Sequence, residues 1–287
     1  MSKFIISVLA ALLLLGGIFW YQYQKFNDGK MHIIFCDVGQ GDAVLIKTPG
    51  GKYILLDGGP DRSVLNCLAA HMPFWHRRID LMLLTHPHAD HFFGMFYVLE
   101  RYDVKAFATE DLRNKTTGYE ELIKRIGEKK ISMQYALAGD TWDLGSVSVR
   151  VVGPTQKYLE QTSPGGTIGE SREFASLITL VQYGAFDVLL TGDSQALGLQ
   201  EALSYMPTDL EVLQSPHHGS GTGLDTELLE QLSPTLAVIS VGAQNRYNHP
   251  HPKILALFTS AQIKVLRTDQ VGAIELVSDG SDWKIVQ

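Results

Sequence analysis

Three imidazoles and a carboxylate fall within six residues in His86-Pro87-His88-Ala89-Asp90-His91, directly after the apolar run Leu81 to Leu84. A structural histidine usually stands alone. Four borderline ligands on one short loop suit one or two cations of the zinc or manganese type. His86 and His88 can point one way while Asp90 and His91 reach a second position as the chain turns into a helix. Three later segments add chemistry. Asp193 ends the apolar run Val188-Leu-Leu-Thr-Gly-Asp193, where a carboxylate can bridge two ions. In Ser215-Pro-His217-His218-Gly-Ser220 one histidine can be a ligand and its neighbour a proton donor, and the order of the two stays open. In Asn245-Arg-Tyr-Asn-His249-Pro-His251-Pro252 the prolines hold the imidazoles out of regular structure. His249 and His251 read as active-site groups there, with capping of the following helix as the other reading. His32, His71 and His76 lie outside these motifs and read as structural or surface residues.

The elements that must position these groups are strands ending at each motif. Residues 32–37, 43–47 and 53–57 are apolar or β-branched runs split by glycine turns. Further strands are predicted at 81–85, 105–109, 131–135, 146–152, 176–183, 186–191, 210–214, 236–241, 263–267 and 272–277, where the pattern ends. Helices are predicted at 63–70, 92–101, 195–205, 225–231 and 252–260. Two β-rich halves with interspersed helices fit a layered α/β protein with the helices outside two packed sheets. Gly165-Gly166, between Pro164 and Ser171, reads as a mobile loop at the edge of a substrate cleft.

The chain has 287 residues, and 45% of them are hydrophobic, enough for one substantial core. The net charge of −7 shows no global basic face of the kind that duplex-binding modules carry. The stretch Arg113 to Lys130, with Lys115, Lys124, Arg125 and Lys129 among its glutamates, reads as a solvated helix and loop. Cys36 and Cys67 lack metal-site spacing and read as buried thiols. A disulfide between them requires an oxidising compartment and does not follow from sequence.

Phe4 to Tyr21 is an apolar run with Ser7 as its one strongly polar member. Its 18 residues reach roughly 27 Å as a helix, close to the hydrocarbon thickness of a bilayer. Trp20, Tyr21 and Tyr23 sit where an aromatic belt would lie. No small-x-small cleavage site follows, so an uncleaved anchor is favoured over a signal peptide. The predicted organisation is an anchor over 1–24, a linker over 25–30 and a catalytic domain over 31–287. The domain is placed outside the cytoplasm.

The pattern His86-x-His88-x-Asp90-His91, with Asp57 before it and Asp193 after it, resembles the metallo-β-lactamase superfamily. Four segments more narrowly resemble the metallo-hydrolase domain of the ComEC competence (DNA-internalisation) family. They are Asp37-Val-Gly-Gln-Gly-Asp42-Ala, Leu56-Asp57-Gly-Gly59, Pro216-His-His-Gly-Ser220 and Asn245-Arg-Tyr-Asn-His-Pro-His251-Pro. The resemblance spans about residues 31–277. It implies a four-layered αββα sandwich with a metal site in the cleft between the sheets. It also implies that Asp57, with Asp37 and Asp42, stands behind the ligands His86, His88, Asp90, His91, Asp193 and His217 or His218. The implied reaction is hydrolysis of a phosphodiester of extracytoplasmic DNA. Two Zn²⁺ or Mn²⁺ ions lower the pKa of a bridging water, and donors of the Gly219-Ser220 turn stabilise the growing charge. A histidine of the 217–218 or 249–251 segment then protonates the leaving oxygen. The alternatives are a hydrolase of a non-nucleic-acid ester, such as a cell-wall phosphodiester or a lactone, and a non-catalytic subunit of a DNA-uptake assembly.

Two departures from the pattern stand out. No histidine occurs between His91 and His217, so the first metal position is expected to be short of one protein ligand. The multi-span channel portion of the ComEC family has no counterpart here, which points to a separate channel protein as partner.

Overall fold

A computed structural model describes residues 2–112, 116–166, 175–206 and 209–286. The first element is helix α1 (Ser2–Phe26), and Lys3–Phe26 is long and apolar enough to cross a membrane. It runs two residues past the predicted anchor boundary, and its last residue, Phe26, is buried against the domain.

The strands follow in chain order. They are β1 (Met31–Phe35), β2 (Val44–Lys47), β3 (Tyr53–Leu56), β4 (Arg78–Ile79), β5 (Leu81–Leu84), β6 (Asp103–Val104), β7 (Ala106–Thr109) and β8 (Ser132–Tyr135). The second half supplies β9 (Thr141–Leu144), β10 (Val147–Gly153), β11 (Ile178–Tyr183), β12 (Phe186–Leu190), β13 (Val212–Gln214), β14 (Leu236–Ile239), β15 (Lys264–Arg267), β16 (Ile274–Ser278) and β17 (Trp283–Val286). Among the described residues one sheet has the order β17-β16-β1-β2-β3-β5-β7-β8 and the other β15-β14-β13-β12-β11-β10-β9. β4 and β6 form a separate short pair.

The sheets face each other across a core of alternating strand residues, among them Ile33, Phe35, Val44, Ile54 and Leu83 from one and Val149, Val181, Val188 and Val212 from the other. The opposite face of the first sheet is covered by α2 (Val64–His71), α3 (Ala89–Arg101) and α4 (Thr117–Glu128). That of the second is covered by α6 (Ala196–Ala202), α7 (Thr226–Leu232) and α8 (Pro252–Ser260), with α5 (Gln156–Thr162) and α9 (Thr268–Val271) at the periphery. Both faces of each central strand are therefore buried, which is why these runs are continuously apolar rather than alternating. This is the predicted αββα sandwich.

Four local expectations change. β17 follows the predicted last strand and pairs antiparallel with β16, Ser278 opposite Trp283. β9 and α5 also form where no element was predicted. Their short, mostly polar stretches gain order from the β9–β10 pairing and from the Thr155 side chain capping α5. The two cysteines are not thiols: Cys36 and Cys67 form a disulfide, because the end of β1 lies against α2 with the two Cα atoms 5.7 Å apart. The cysteines are 31 residues apart in sequence, so only packing brings them together. The basic stretch is a solvated helix face where described, with Lys124 and Arg125 paired to Glu121, Glu128 and Glu100. Its Arg113 and Lys115 lie outside the described residues, as does Ser171 at the far side of the predicted mobile loop.

Candidate metal centre

All the ligand-bearing loops leave one end of the two sheets. β3 and β5 run parallel, as do β12 and β13, so Asp57, His86, Asp193 and His217 follow strands that finish side by side. Glycine permits the close packing this requires. A Cβ at Gly94 of α3 would overlap the Gly58 carbonyl oxygen, and one at Gly41, where φ is +142, would overlap that of Asp90. Backbone bonds from Gly58 N to the His91 oxygen (2.6 Å) and Gly59 N to the Asp42 oxygen (2.7 Å) lock these loops together.

His86, His91, Asp42, Asp57, Asp193 and His218 are all at most 3% exposed. Asp193 lies at their centre. Its Oδ1 is 3.3 Å from His91 Nε2 and 3.4 Å from His218 Nε2. Its Oδ2 is 3.5 Å from His86 Nε2 and 3.5 Å from His217 Nε2. His218 Nε2 is also 3.6 Å from an Asp90 oxygen. The convergent donor groupings include His86–His88–Asp193 on one side and Asp90–His91–His218 on the other, with Asp42 joining Asp193 and His218 behind them.

Groups behind the cluster aim its imidazoles. Asp57 accepts from the Thr85 backbone N–H (2.8 Å), the Thr85 hydroxyl (2.7 Å) and His91 Nδ1 (2.7 Å). His218 Nδ1 donates to the Ser240 carbonyl (3.0 Å). In their neutral form both rings therefore turn an unprotonated Nε2 inward. The Gln195 amide nitrogen lies 2.7 Å from His217 Nδ1, and Thr222 donates to the other end of that amide at 2.6 Å. Left-handed backbone at His217 (φ 49) and His218 (φ 56) sends adjacent rings to opposite sides of Asp193.

Divalent cations fit this donor set. His91 Nε2, His218 Nε2, Asp193 Oδ1 and Asp42 Oδ1 are buried without hydrogen-bond partners among the described residues, a cost that a bound cation removes. Two donors each about 2.1 Å from one cation at a tetrahedral angle lie roughly 3.4 Å apart, which matches the separations around Asp193. The four buried or half-buried carboxylates Asp42, Asp57, Asp90 and Asp193 balance the charge of two divalent ions. Without them, burial opposes charge on His91 and His218. Even so, Asp193 with Asp57 draws the His91 pKa well above its ordinary value, and Asp193 with Asp42 does so for His218. Burial would raise the Asp193 pKa, yet the charges of His91, His218 and His86 hold it well below the carboxylate range. Burial and the neighbouring His86 push His88 down to about 3.

Some sequence-predicted residues are placed elsewhere. Asp37 is exposed, and its carboxylate accepts from Gly39 N at 3.3 Å, so it shapes its own turn instead of supporting the ligands. His251 is exposed and its Nδ1 accepts from Lys253 N at 3.1 Å, which makes it the cap of α8. Ser220 is not a ready charge-stabilising donor: its N–H is bonded to the His217 oxygen (2.9 Å) and its hydroxyl to Thr222 (3.1 Å). His249 is half-buried with its ring 5.5 Å from that of His217. Its turn is pinned by Asn245, whose carboxamide accepts from His249 N (2.9 Å) and donates to the His249 oxygen (2.7 Å).

Sequence reasoning missed Gln195, Thr85, Asn245 and the groove that opens beside Asp90. That groove, a cavity of about 410 Å³, is lined by Gln40, Asp90, Phe93, Asn245, Arg246 and Tyr247 among others. Phe93 and Tyr247 are 41% and 49% exposed, and the Arg246 guanidinium stands 5.0 Å from the Tyr247 ring.

This is the fold of the metallo-β-lactamases, and residues 36–170, a little under half of the chain, match the metallo-beta-lactamase superfamily. Its homologues include ComE operon protein 3 of Bacillus subtilis, 28% identical over 267 residues that make up 87% of this chain and 33% of that protein. Competence protein ComA of Neisseria gonorrhoeae is 26% identical over 271 residues, 92% of this chain and 35% of that protein. The chain thus spans about a third of the length of these relatives. Among solved structures, the metallo-beta-lactamase fold protein YhfI from Bacillus subtilis superposes with a TM-score of 0.58 at 12% identity. It covers 85% of this chain and 99% of its own.

Proposed function

We propose that this domain is a metal-dependent phosphodiesterase acting on DNA outside the cytoplasm, held at the membrane by α1. The observation that carries the reading is Asp193, whose two oxygens face two separate sets of buried donors. His86, His88 and Asp193 would hold one divalent ion, and Asp90, His91, His218 and Asp193 a second. The bound ions supply Lewis acidity and water activation at neutral pH.

The chain's own residues do the rest. Asp57 and the Ser240 carbonyl keep His91 and His218 in the tautomer that presents Nε2. His217 has the opposite tautomer: the Gln195 amide donates to its Nδ1, so the ring proton sits on Nε2, pointing into the site. This supports His218 as ligand and His217 as donor to the leaving oxygen. Burial and the surrounding imidazoles lower the His217 pKa, so near neutral pH the ring is the neutral imidazole and its Nε2–H hydrogen-bonds the leaving oxygen, stabilising the charge that grows there. With His217 in that role the first site would offer three protein ligands and would hold its ion more weakly than the second.

The groove supports a nucleic-acid substrate. Open aromatic faces at Phe93 and Tyr247 suit stacked bases, and Arg246 suits a phosphate. The names of the homologues, competence proteins among them, point the same way. The Cys36–Cys67 disulfide supports an oxidising compartment.

The test is hydrolysis by the full chain in detergent with Mn²⁺ or Zn²⁺, against single-stranded DNA, duplex DNA and bis-p-nitrophenyl phosphate. Metal-dependent cleavage of DNA that vanishes in Asp193→Ala is the expected result. Cleavage of the small diester alone would move the substrate to another phosphodiester, and no turnover with metal bound would overturn the phosphodiesterase reading.

A further inference from the structure

The end of the sheets remote from the metal centre carries an aromatic pair in the open. Phe74 and Trp75 follow α2 in the turn between His71 and Arg78, and they are 57% and 37% exposed. Their rings meet edge to face at 4.9 Å. Two large rings left in water cost free energy, which a surface contact recovers. The Trp75 ring lies 4.5 Å from the ring of Phe19 on α1.

Phe19 fixes the depth of this contact. It lies seven residues before Phe26, where the chain enters the domain, or roughly 10 Å along the helix axis. Trp20, Tyr21 and Tyr23 surround it in sequence, and these are the residue types that settle at the water–hydrocarbon boundary. If α1 spans the bilayer, Trp75 lies at that boundary too. Cations occur at the same end. Arg77 and Arg78 follow Trp75, with Arg78 paired to Asp80 at 2.7 Å, and a cavity of about 310 Å³ beside His71 is lined by Lys25, Lys30 and Lys284 together with Asp28 and Glu275.

We infer that the Met72–Arg78 turn is a second membrane contact, with Phe74 and Trp75 seated in the interfacial layer beside α1 and the nearby cations facing anionic lipid headgroups. The inference rests on the anchor reading of α1. It makes the catalytic domain a body docked on the bilayer at two points instead of one swinging on a tether. It also sets the direction of the site. Met31, Lys47, Tyr53 and Leu81 begin or end their strands on the membrane side, while Asp42, Asp57 and His86 lie beyond the other ends. Strands of four to five residues put roughly 15 Å between the two. The metal centre therefore opens away from the lipid, toward a substrate held off the membrane.

Fluorescence quenching by lipids brominated in the upper acyl chain tests this, with the full chain reconstituted into phosphatidylcholine–phosphatidylglycerol vesicles. The chain has four tryptophans, Trp20, Trp75, Trp142 and Trp283. Trp20→Phe should still lose roughly a third of its emission, one of three remaining tryptophans at the interface. That quenching should fall sharply in Trp20→Phe/Trp75→Phe, with any remainder coming from Trp283, whose strand partner Ser278 lies opposite Met31 at the same end of the sheet. Quenching seen in Trp75→Phe but absent in Trp20→Phe would leave the anchor intact and overturn the docked turn alone. Quenching as strong in the double variant as in Trp20→Phe would come from Trp142 or Trp283 and overturn it as well. No quenching in any variant would defeat the anchor reading and this inference with it.

Discussion

At one end of β3 and β5 the chain buries charge, and at the other it exposes aromatic rings. The metal end collects Asp42, Asp57, His86, His91, Asp193 and His218, each almost wholly enclosed. The opposite end places Phe74 and Trp75 outward and leaves lysines around an open cavity. Neither arrangement favours an isolated, metal-free domain in water. Buried carboxylates need counter-charge, and exposed rings need a surface to cover them. On the readings proposed above, both ends answer to something outside the polypeptide, cations at one and lipid at the other.

The largest effect should come from removing the group that both ligand sets share. Asp193→Ala should lower turnover by about 10³-fold or more and reduce bound metal per chain, read by elemental analysis. Retention of two tightly bound ions would break the picture of Asp193 as a bridge. The disulfide comes next, because it ties β1, whose following loop carries Asp42, to α2. Closing a loop of this size contributes about 4 kcal/mol. Reduction, or Cys67→Ser, should therefore lower the melting temperature by several degrees, and no change would separate the loop's order from the cross-link.

Gln195→Ala sharpens the roles of the paired histidines. Loss of a group that orients an active-site imidazole costs about 10–100-fold. On the proposed roles kcat should fall with metal content unchanged, because His217 would serve the leaving oxygen and hold no ion. A fall in metal content instead would make His217 a ligand.

The smallest effect concerns Glu110, which is fully buried just after β7, with no hydrogen-bond partner for either carboxyl oxygen among the described residues. Burial and the nearby Asp57 charge raise its pKa well above 4.5. Its folded-state pKa exceeds the unfolded one, so the wild type loses stability as pH rises from the ordinary carboxylate value toward the folded one. Glu110→Gln should remove that slope, gaining about 1 kcal/mol near neutral pH and nothing below pH 4.5, as followed by melting temperature against pH. A loss of stability near neutral pH would mean that the charged carboxylate has a partner.

Much of this was legible from residue order alone. Each of Asp57, His86 and Asp193 closes a continuously apolar run, and such runs bounded by glycine or proline mark buried strands. The ligand types and their spacing therefore announced both the layered fold and the chemistry. The open points were those where local sequence offers two outcomes. His249 and His251 have the same proline-flanked setting, yet one lies against His217 and the other caps α8. Asp37 and Asp42 flank the same glycine turn, yet only Asp42 faces inward.

What the sequence by itself determined is the set of donors, their order along the chain and the strands that deliver them, because hydrophobic periodicity is a local property. Only the tertiary structure decided that Cys36 meets Cys67, that His217 and His218 part to opposite sides of Asp193, and that Trp75 meets Phe19. Those outcomes depend on where loops from separate strands converge, and on which donors and rings are already nearby when a side chain arrives. They are fixed by the packing of the two sheets and their helices, which no stretch of neighbouring residues encodes.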